Sequence, residues 1–171
     1  METIGDQCDY VLSMLVAGSI GAESFRCWRN AALAVMCLPN LFAAGFYVEG
    51  WIVLPRQSRI AIVEHGWTTI PDLLIIDPTM VLMEKPSQPV SYFPGYVLSR
   101  EQLSELLSGS IVPLVRHTAY GDDGMKHSGY RAAYEQAWET ARALAQEMQL
   151  QETAIQVSAR DSRRGLTIIM E

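Results

Sequence analysis

The stretch from Tyr47 to Thr79, YVEGWIVLPRQSRIAIVEHGWTTIPDLLIIDPT, constrains the fold more than any other part of the chain. Three apolar runs, at about 45–54, 59–67 and 72–77, are rich in Val, Ile, Tyr and Trp and are separated by the short turns PRQS and TTIP. Runs of that composition read as strands. Connections that short join antiparallel neighbours, because a parallel crossover needs a dozen or more residues. Two polar residues interrupt the pattern. His65 and Asp77 lie at or near strand ends, where alternation would place further apolar side chains.

The flanking segments read as helices. Apolar positions Ile4, Cys8, Val11, Leu12, Leu15 and Val16 recur at helical spacing over residues 3–18, and AGSIGAES breaks that helix. Ser24 is a candidate N-cap for a second helix, FRCWRNAALAVMCL, ended by Pro39, with Cys27, Ala31, Ala34, Val35 and Leu38 on one face. YFPGYVLS is extended and suits an edge strand, since Pro94 cannot donate to a ladder. SREQLSELLSG is a short helix with Ser99 as N-cap and Glu101 or Gln102 near the capping-box position. SIVPLVRHTAYGDDGMKHSG reads as a long connection suited to a lid, and an Ala- and Glu-rich helix covers about 129–149. The last residues, TAIQVSARDSRRGLTIIM, read as a β-hairpin. Strands do not alternate with crossover helices, so the expected class is α+β, with N-terminal helices packed on a central antiparallel sheet.

At 171 residues the chain suits a single domain able to bury about 70% of its unfolded surface. A catalytic core at about 20–98 and a C-terminal elaboration at about 99–171 are expected within it. A net charge of -6 argues against a sequence-independent nucleic-acid binder, which needs a basic face. No apolar run approaches the roughly 20 residues of a membrane span. METIGDQCDY is polar and acidic and reads as no signal peptide, and the first cationic residue is Arg26. With an odd cysteine count (Cys8, Cys27 and Cys37), this favours free thiols in a reducing, cytoplasmic setting. The ordinary role of a free cysteine is a small buried hydrophobe.

Cys27 stands apart from the other two. With Ser24 as N-cap it is the third helical residue, in the first turn, where unpaired N–H groups and the helix dipole favour an anion. Arg26 and Arg29 add positive charge nearby. Cys8 falls inside the first helix and Cys37 at a helix C-terminus. If Thr69 pairs with Leu73, then Trp67 lies opposite Ile75 and His65 lies opposite Asp77, sharing a face. A one-residue slip would separate them. A thiol at a helix start, an imidazole on one strand and a carboxylate on the next is the arrangement of a nucleophile, a base and an orienting acid. Glu64 points to the opposite strand face and is a poor orienting acid.

CWRNA, YVEGW, EHGW, IIDPT and YFPG, in that order, resemble the transglutaminase-like and papain-like cysteine-enzyme superfamily. They are most similar to small bacterial and phage proteins with C..NA, YVEGY, HAW, DPT and YFG motifs. The resemblance covers about residues 25–96. It implies a papain-like or transglutaminase-like core with Cys27 as nucleophile, His65 as base and Asp77 as orienter. Gly66 stands where the motif commonly has Ala, which reads as a small change. Substrate selection is expected outside the matched region.

Asn30 reads as a side chain that fixes the helix start through backbone bonds. Trp28 and Trp67 read as core or cleft walls. Gly50 suits a close backbone approach, Glu49 reads as structural or rim-lining, and Tyr92 reads as a cleft residue. Gln7 and Trp51 are candidates for the second oxyanion donor. His117 and His127 show no metal-ligand spacing, and neither a metal nor a cofactor is expected. The chemistry expected is a cysteine-dependent hydrolase or acyltransferase acting on an amide or peptide-type bond through a thioester. Its substrate would be a protein or peptide-like molecule, with no nucleic-acid or membrane partner. The alternative is a non-catalytic binding or inhibitory module on the same fold, of the kind a phage or mobile element directs at a host protein.

Overall fold

The computed structural model describes residues 8–71, 74–83, 88–107, 127–161 and 166–170, with side chains up to residue 157. The chain forms helices α1 (Tyr10–Ile20) and α2 (Cys27–Cys37), then strands β1 (Phe46–Pro55), β2 (Ile60–Ile70) and β3 (Leu74–Ile76). A 3₁₀ turn (Met80–Leu82), β4 (Ser91–Ser99) and α3 (Arg100–Leu106) follow. Helix α4 (Ser128–Glu147), a second 3₁₀ turn (Glu152–Ala154) and strands β5 (Ile155–Asp161) and β6 (Leu166–Met170) complete the order. The class is α+β. The residues read as a lid fall almost wholly in 108–126, outside the described residues, as do His117 and Gln7.

One six-stranded sheet runs β4-β1-β2-β5-β6, with β3 also paired to β2. The hairpins expected from the short turns are present: β1 pairs β2 antiparallel through Tyr47↔Thr68 and Gly50↔His65. The sheet is not wholly antiparallel. β5 joins β2 in parallel, Ile60↔Ile155 to Val63↔Ser158, because α4 carries the chain back over the sheet before β5 begins. The C-terminal hairpin is therefore part of the main sheet.

β1 is buried on both faces from Tyr47 to Pro55, which explains its unbroken apolar run. On one face Trp51, Val53, Ile60 and Ile62 pack under Tyr130, Ala133, Tyr134 and Ala137 of α4. Beside them Tyr47 and Leu98 pack with Ala31, Ala34 and Val35 of α2. On the other face Val48, Ile52, Trp67, Ile75 and Tyr92 form a third cluster. β4 is an edge strand, and its register against β1 shifts between Glu49 and Gly50. A Cβ on Gly50 would fall 2.1 Å from the Phe93 carbonyl oxygen, so this close approach requires glycine. Ser99 and Gln102 form the expected capping box on α3.

α1 departs from its expected span. It starts at Tyr10 with Asp9 as N-cap, so Cys8 precedes the helix and bridges to Ile75. Val11 and Leu15, read as core, are 65% and 64% exposed, whereas Ser13, Val16 and Ala17 are buried. The helix turns its small residues inward, and the buried hydroxyl of Ser13 accepts a hydrogen bond from the Asp77 N–H at 2.9 Å. Apolar spacing could not reveal a face chosen by a polar contact.

Candidate functional site

Cys27 is the first residue of α2, not the third. Arg26, not Ser24, occupies the N-cap and makes no side-chain cap bond. Phe25 explains the late start: its φ of 62° is incompatible with a helix, so the helix cannot begin before it. The preceding loop is tied down by Asn30, whose side chain accepts from Glu23 N–H at 3.1 Å and donates to Glu23 C=O at 2.7 Å. Its amide also donates to Thr79 Oγ1 at 2.8 Å, which joins the cysteine helix to the loop after Asp77. Asn30 thus has the structural role expected of it, and it reaches further than its own loop. The Arg29–Glu23 ion pair at 3.0 Å lies on the exposed side of this turn.

The β2–β3 register differs from expectation. Thr69 pairs with Ile75 and Ile70 with Leu74, so the strands are displaced by two residues from the pairing that set His65 against Asp77. The displacement is even, so every side chain keeps its face. Asp77 follows the last β3 residue, and His65 reaches it diagonally. His65 Nε2–H donates to Asp77 Oδ2 at 2.7 Å. Both groups are buried, His65 at 5% exposure and Asp77 at 0%. Asp77 Oδ1 accepts from the N–H groups of Thr79 and Met80 at 3.0 and 2.9 Å, and Oδ2 also accepts from Tyr92 Oη–H at 3.0 Å. The Asp-Pro-Thr turn therefore cradles its own carboxylate.

Beyond β1, the remaining edge of β2 is shared by two strands. β5 pairs with Ile60–Val63 and β3 with Thr68–Ile70. Residues 64–67 lie in the gap, and the start of α2 docks there. A Cβ on Gly66 would meet Trp28 Cα at 3.1 Å and Trp28 N at 3.2 Å. Glycine at 66 is therefore more than a small change from alanine, because it lets this helix start lie closer to the strand. The Cys27 thiol, 7% exposed, lies near enough to the His65 imidazole for its charge to act on that ring. With Nε2 committed to Asp77, Nδ1 is left to exchange a proton with sulfur.

Burial alone would push the His65 pKa down. The Asp77 carboxylate and the Cys27 sulfur outweigh it and push the imidazolium up to about 10. Burial alone would raise Asp77, but the His65 charge and the bonds from His65, Met80 and Tyr92 hold it below the usual carboxylate range. Cys8, beside Ser13, Asp77 and Tyr92, is pushed up by burial and by the Asp77 charge, which favours its neutral thiol. Cys37 is exposed, unlike the small buried hydrophobe that its residue type suggested.

Trp67 is 1% exposed and stacks beside His65 with centroids 6.4 Å apart, and Tyr92 meets its edge at 5.2 Å. Trp28 is a buried wall against Gly66. Trp51, a candidate oxyanion donor, packs on Tyr130 and Tyr134 under α4. Glu64 points to the face opposite His65, as its strand position implied, and accepts from the Tyr130 hydroxyl. Glu49 is fully buried rather than rim-lining and accepts from the Tyr47 hydroxyl. Sequence reasoning missed these two tyrosine–glutamate pairs. The signal for Glu49 was a carboxylate two residues from a tyrosine within an otherwise buried strand. His127 caps α4 and its ring meets Tyr96 at 5.1 Å.

No helix among the described residues is long and apolar enough to cross a membrane. Comparison of the chain with family models, with curated proteins and with solved structures gives no match.

Proposed function

We propose that the protein is a thiol enzyme that cleaves or transfers the acyl group of an amide or peptide-type bond, with Cys27 as nucleophile, His65 as proton carrier and Asp77 as its orienting acid. The observation that carries this reading is the buried His65–Asp77 pair, Nε2–H to Oδ2 at 2.7 Å, with the Cys27 sulfur near enough to raise the pKa of the same imidazole. A thiol at the first position of a helix, an imidazole with one nitrogen fixed by a carboxylate, and a carboxylate with every lone-pair direction engaged form a division of labour suited to acyl transfer.

In the proposed sequence the Cys27 proton moves to His65 Nδ1 and the thiolate attacks the carbonyl carbon. The N–H groups of the first turn of α2 face the oxygen that gains charge. The C–N bond breaks as His65 returns its proton to the departing nitrogen, leaving a thioester on Cys27. Water then adds to the thioester carbonyl and gives a proton to His65. The C–S bond breaks, and the proton passes back to sulfur. An amine in place of water would give transfer. We favour hydrolysis, because transfer requires exclusion of water from a partly open thioester.

The test is the alkylation of Cys27 by iodoacetamide at neutral pH, with adducts mapped by mass. Cys27 should react faster than the more exposed Cys8 and Cys37 despite its burial. His65→Ala should slow it, and should lower turnover of any amide substrate about 10²- to 10⁴-fold. Equal rates at all three cysteines would sink the enzyme reading and favour a binding module. A Cys27→Ala variant then serves to trap the substrate.

A further inference from the structure

We infer that Tyr92 is a positioning residue of the triad: its hydroxyl fixes the Asp77 oxygen that orients His65 and shares the charge of that oxygen. This rests on the reading of Cys27, His65 and Asp77 as a triad.

The observations lie on an edge strand, two strands over from the one that carries His65. β4 is separated from β2 by β1, and Tyr92 pairs with Ile52 of β1. Its ring nevertheless extends over the sheet, packs edge-on against Trp67 and delivers its hydroxyl to Asp77 Oδ2. That oxygen is also the acceptor for His65 Nε2–H. The other oxygen is held by two backbone N–H groups, so the turn alone fixes one end of the carboxylate. Among the described residues, two side chains oppose rotation about the remaining bond, His65 and Tyr92. Tyr92 is buried, 4% exposed.

The hydroxyl is suited to this task. Burial first, and then the Asp77 charge, raise the Tyr92 pKa well above its ordinary value, so it remains a donor throughout the working range of a protein. A donor to a carboxylate favours the ionised form. The groups facing Asp77 are His65 from β2, Tyr92 from β4, Cys8 ahead of α1 and Ser13 on α1, with the Cys27 sulfur of α2 beyond His65. Among these, Tyr92 is the one side chain besides His65 that donates to the carboxylate.

The experiment reads the pH profile of Cys27 alkylation in the full chain, from pH 4 to 10, for wild type, Tyr92→Phe and Tyr134→Phe. Tyr134 packs on Trp51 on the other sheet face and serves as a control. Tyr92→Phe keeps the ring and should move the acid limb of the profile to higher pH, with Cys27 reacting about tenfold more slowly near pH 5. Tyr134→Phe should leave the limb in place. Fluorotyrosine at position 92, a stronger donor of the same shape, should move the limb the other way, and it decides the matter if Tyr92→Phe does not fold. Superimposable profiles for wild type and the Tyr92 variants, or an equal shift in Tyr134→Phe, would overturn the inference. If wild-type Cys27 is no faster than Cys8 and Cys37, the triad reading itself fails. A fast, His65-dependent Cys27 with an unmoved Tyr92→Phe profile removes only the role of Tyr92.

Discussion

Asp77 shows what a single residue contributes here. Its two oxygens accept four hydrogen bonds, two from backbone and two from side chains, and its own N–H is held by Ser13. A carboxylate so engaged couples folding to pH. The Asp77 pKa lies below its ordinary 3.8, so the stability it supplies is present above about that pH and is lost as pH falls through the folded value. The His65 pKa is raised from 6.5 to about 10, so its share is complete below about 6.5 and is lost as pH rises toward 10. Asp77→Asn should therefore be most destabilising, relative to wild type, between about pH 4 and 6.5, and the gap should narrow toward pH 10. The expected loss at its maximum is about 3–5 kcal/mol, as for a buried pair deprived of one partner. Urea unfolding across that pH range measures it, and a pH-independent gap would refute the coupling. The pairing of His65 with Asp77 was legible in sequence because an imidazole and a carboxylate set into apolar strands are rare unless paired. The third partner, Tyr92, was not, since no spacing rule joins β4 to a turn two strands away.

At the scale of elements, the hairpin register was legible only in part. The loop between β2 and β3 has three residues whether Thr69 pairs with Leu73 or Ile70 pairs with Leu74, and apolar alternation is satisfied by both. The structure selects the second, with Thr68 Oγ1–H bonded to Ile76 C=O. The site survives because the two pairings differ by an even step. The helix start was misplaced for a similar reason. Ser24 is a good cap by type, but the positive φ of Phe25 lies downstream of it and delays the helix to Cys27. The thiol therefore sits closer to the unpaired N–H groups than the sequence suggested. The start of α2 lies close against β2 at Gly66, where no Cβ stands between them. Gly66→Ala would place a methyl 3.0–3.2 Å from the Trp28 backbone and ring. The helix start must move by a few tenths of an ångström. We expect a loss of about 1–3 kcal/mol in stability, together with slower alkylation of Cys27 while Cys37 is unaffected. An unchanged Cys27 rate would show that the close approach has no bearing on the thiol.

At the scale of the molecule, β5 and β3 leave a gap on one edge of β2, and the start of the cysteine helix packs on Gly66 within that stretch. The gap exists because two segments far apart in sequence share that edge. The sequence revealed a terminal hairpin but not its docking, since a parallel pairing between residues 60–63 and 155–158 leaves no local signature. The C-terminal segment is thus expected to be an integral part of the core rather than an addition to it. Ile155 and Val157 are buried with Ile60, Ile62 and Ala141 in the cluster under α4. A chain ending at Ala154 keeps α4 but leaves the hydrogen-bonding edge of Ile60–Val63 open and the apolar floor beneath α4 uncovered on one side. Such an edge destabilises the sheet and invites association between chains. The truncated chain should lose cooperative urea unfolding and elute as larger species on gel filtration, with Cys27 alkylated at the rate of Cys37. A monomeric, cooperatively folded truncation with a fast Cys27 would show that the site does not need β5 and β6. The edge of β2 would then be set by β3 alone.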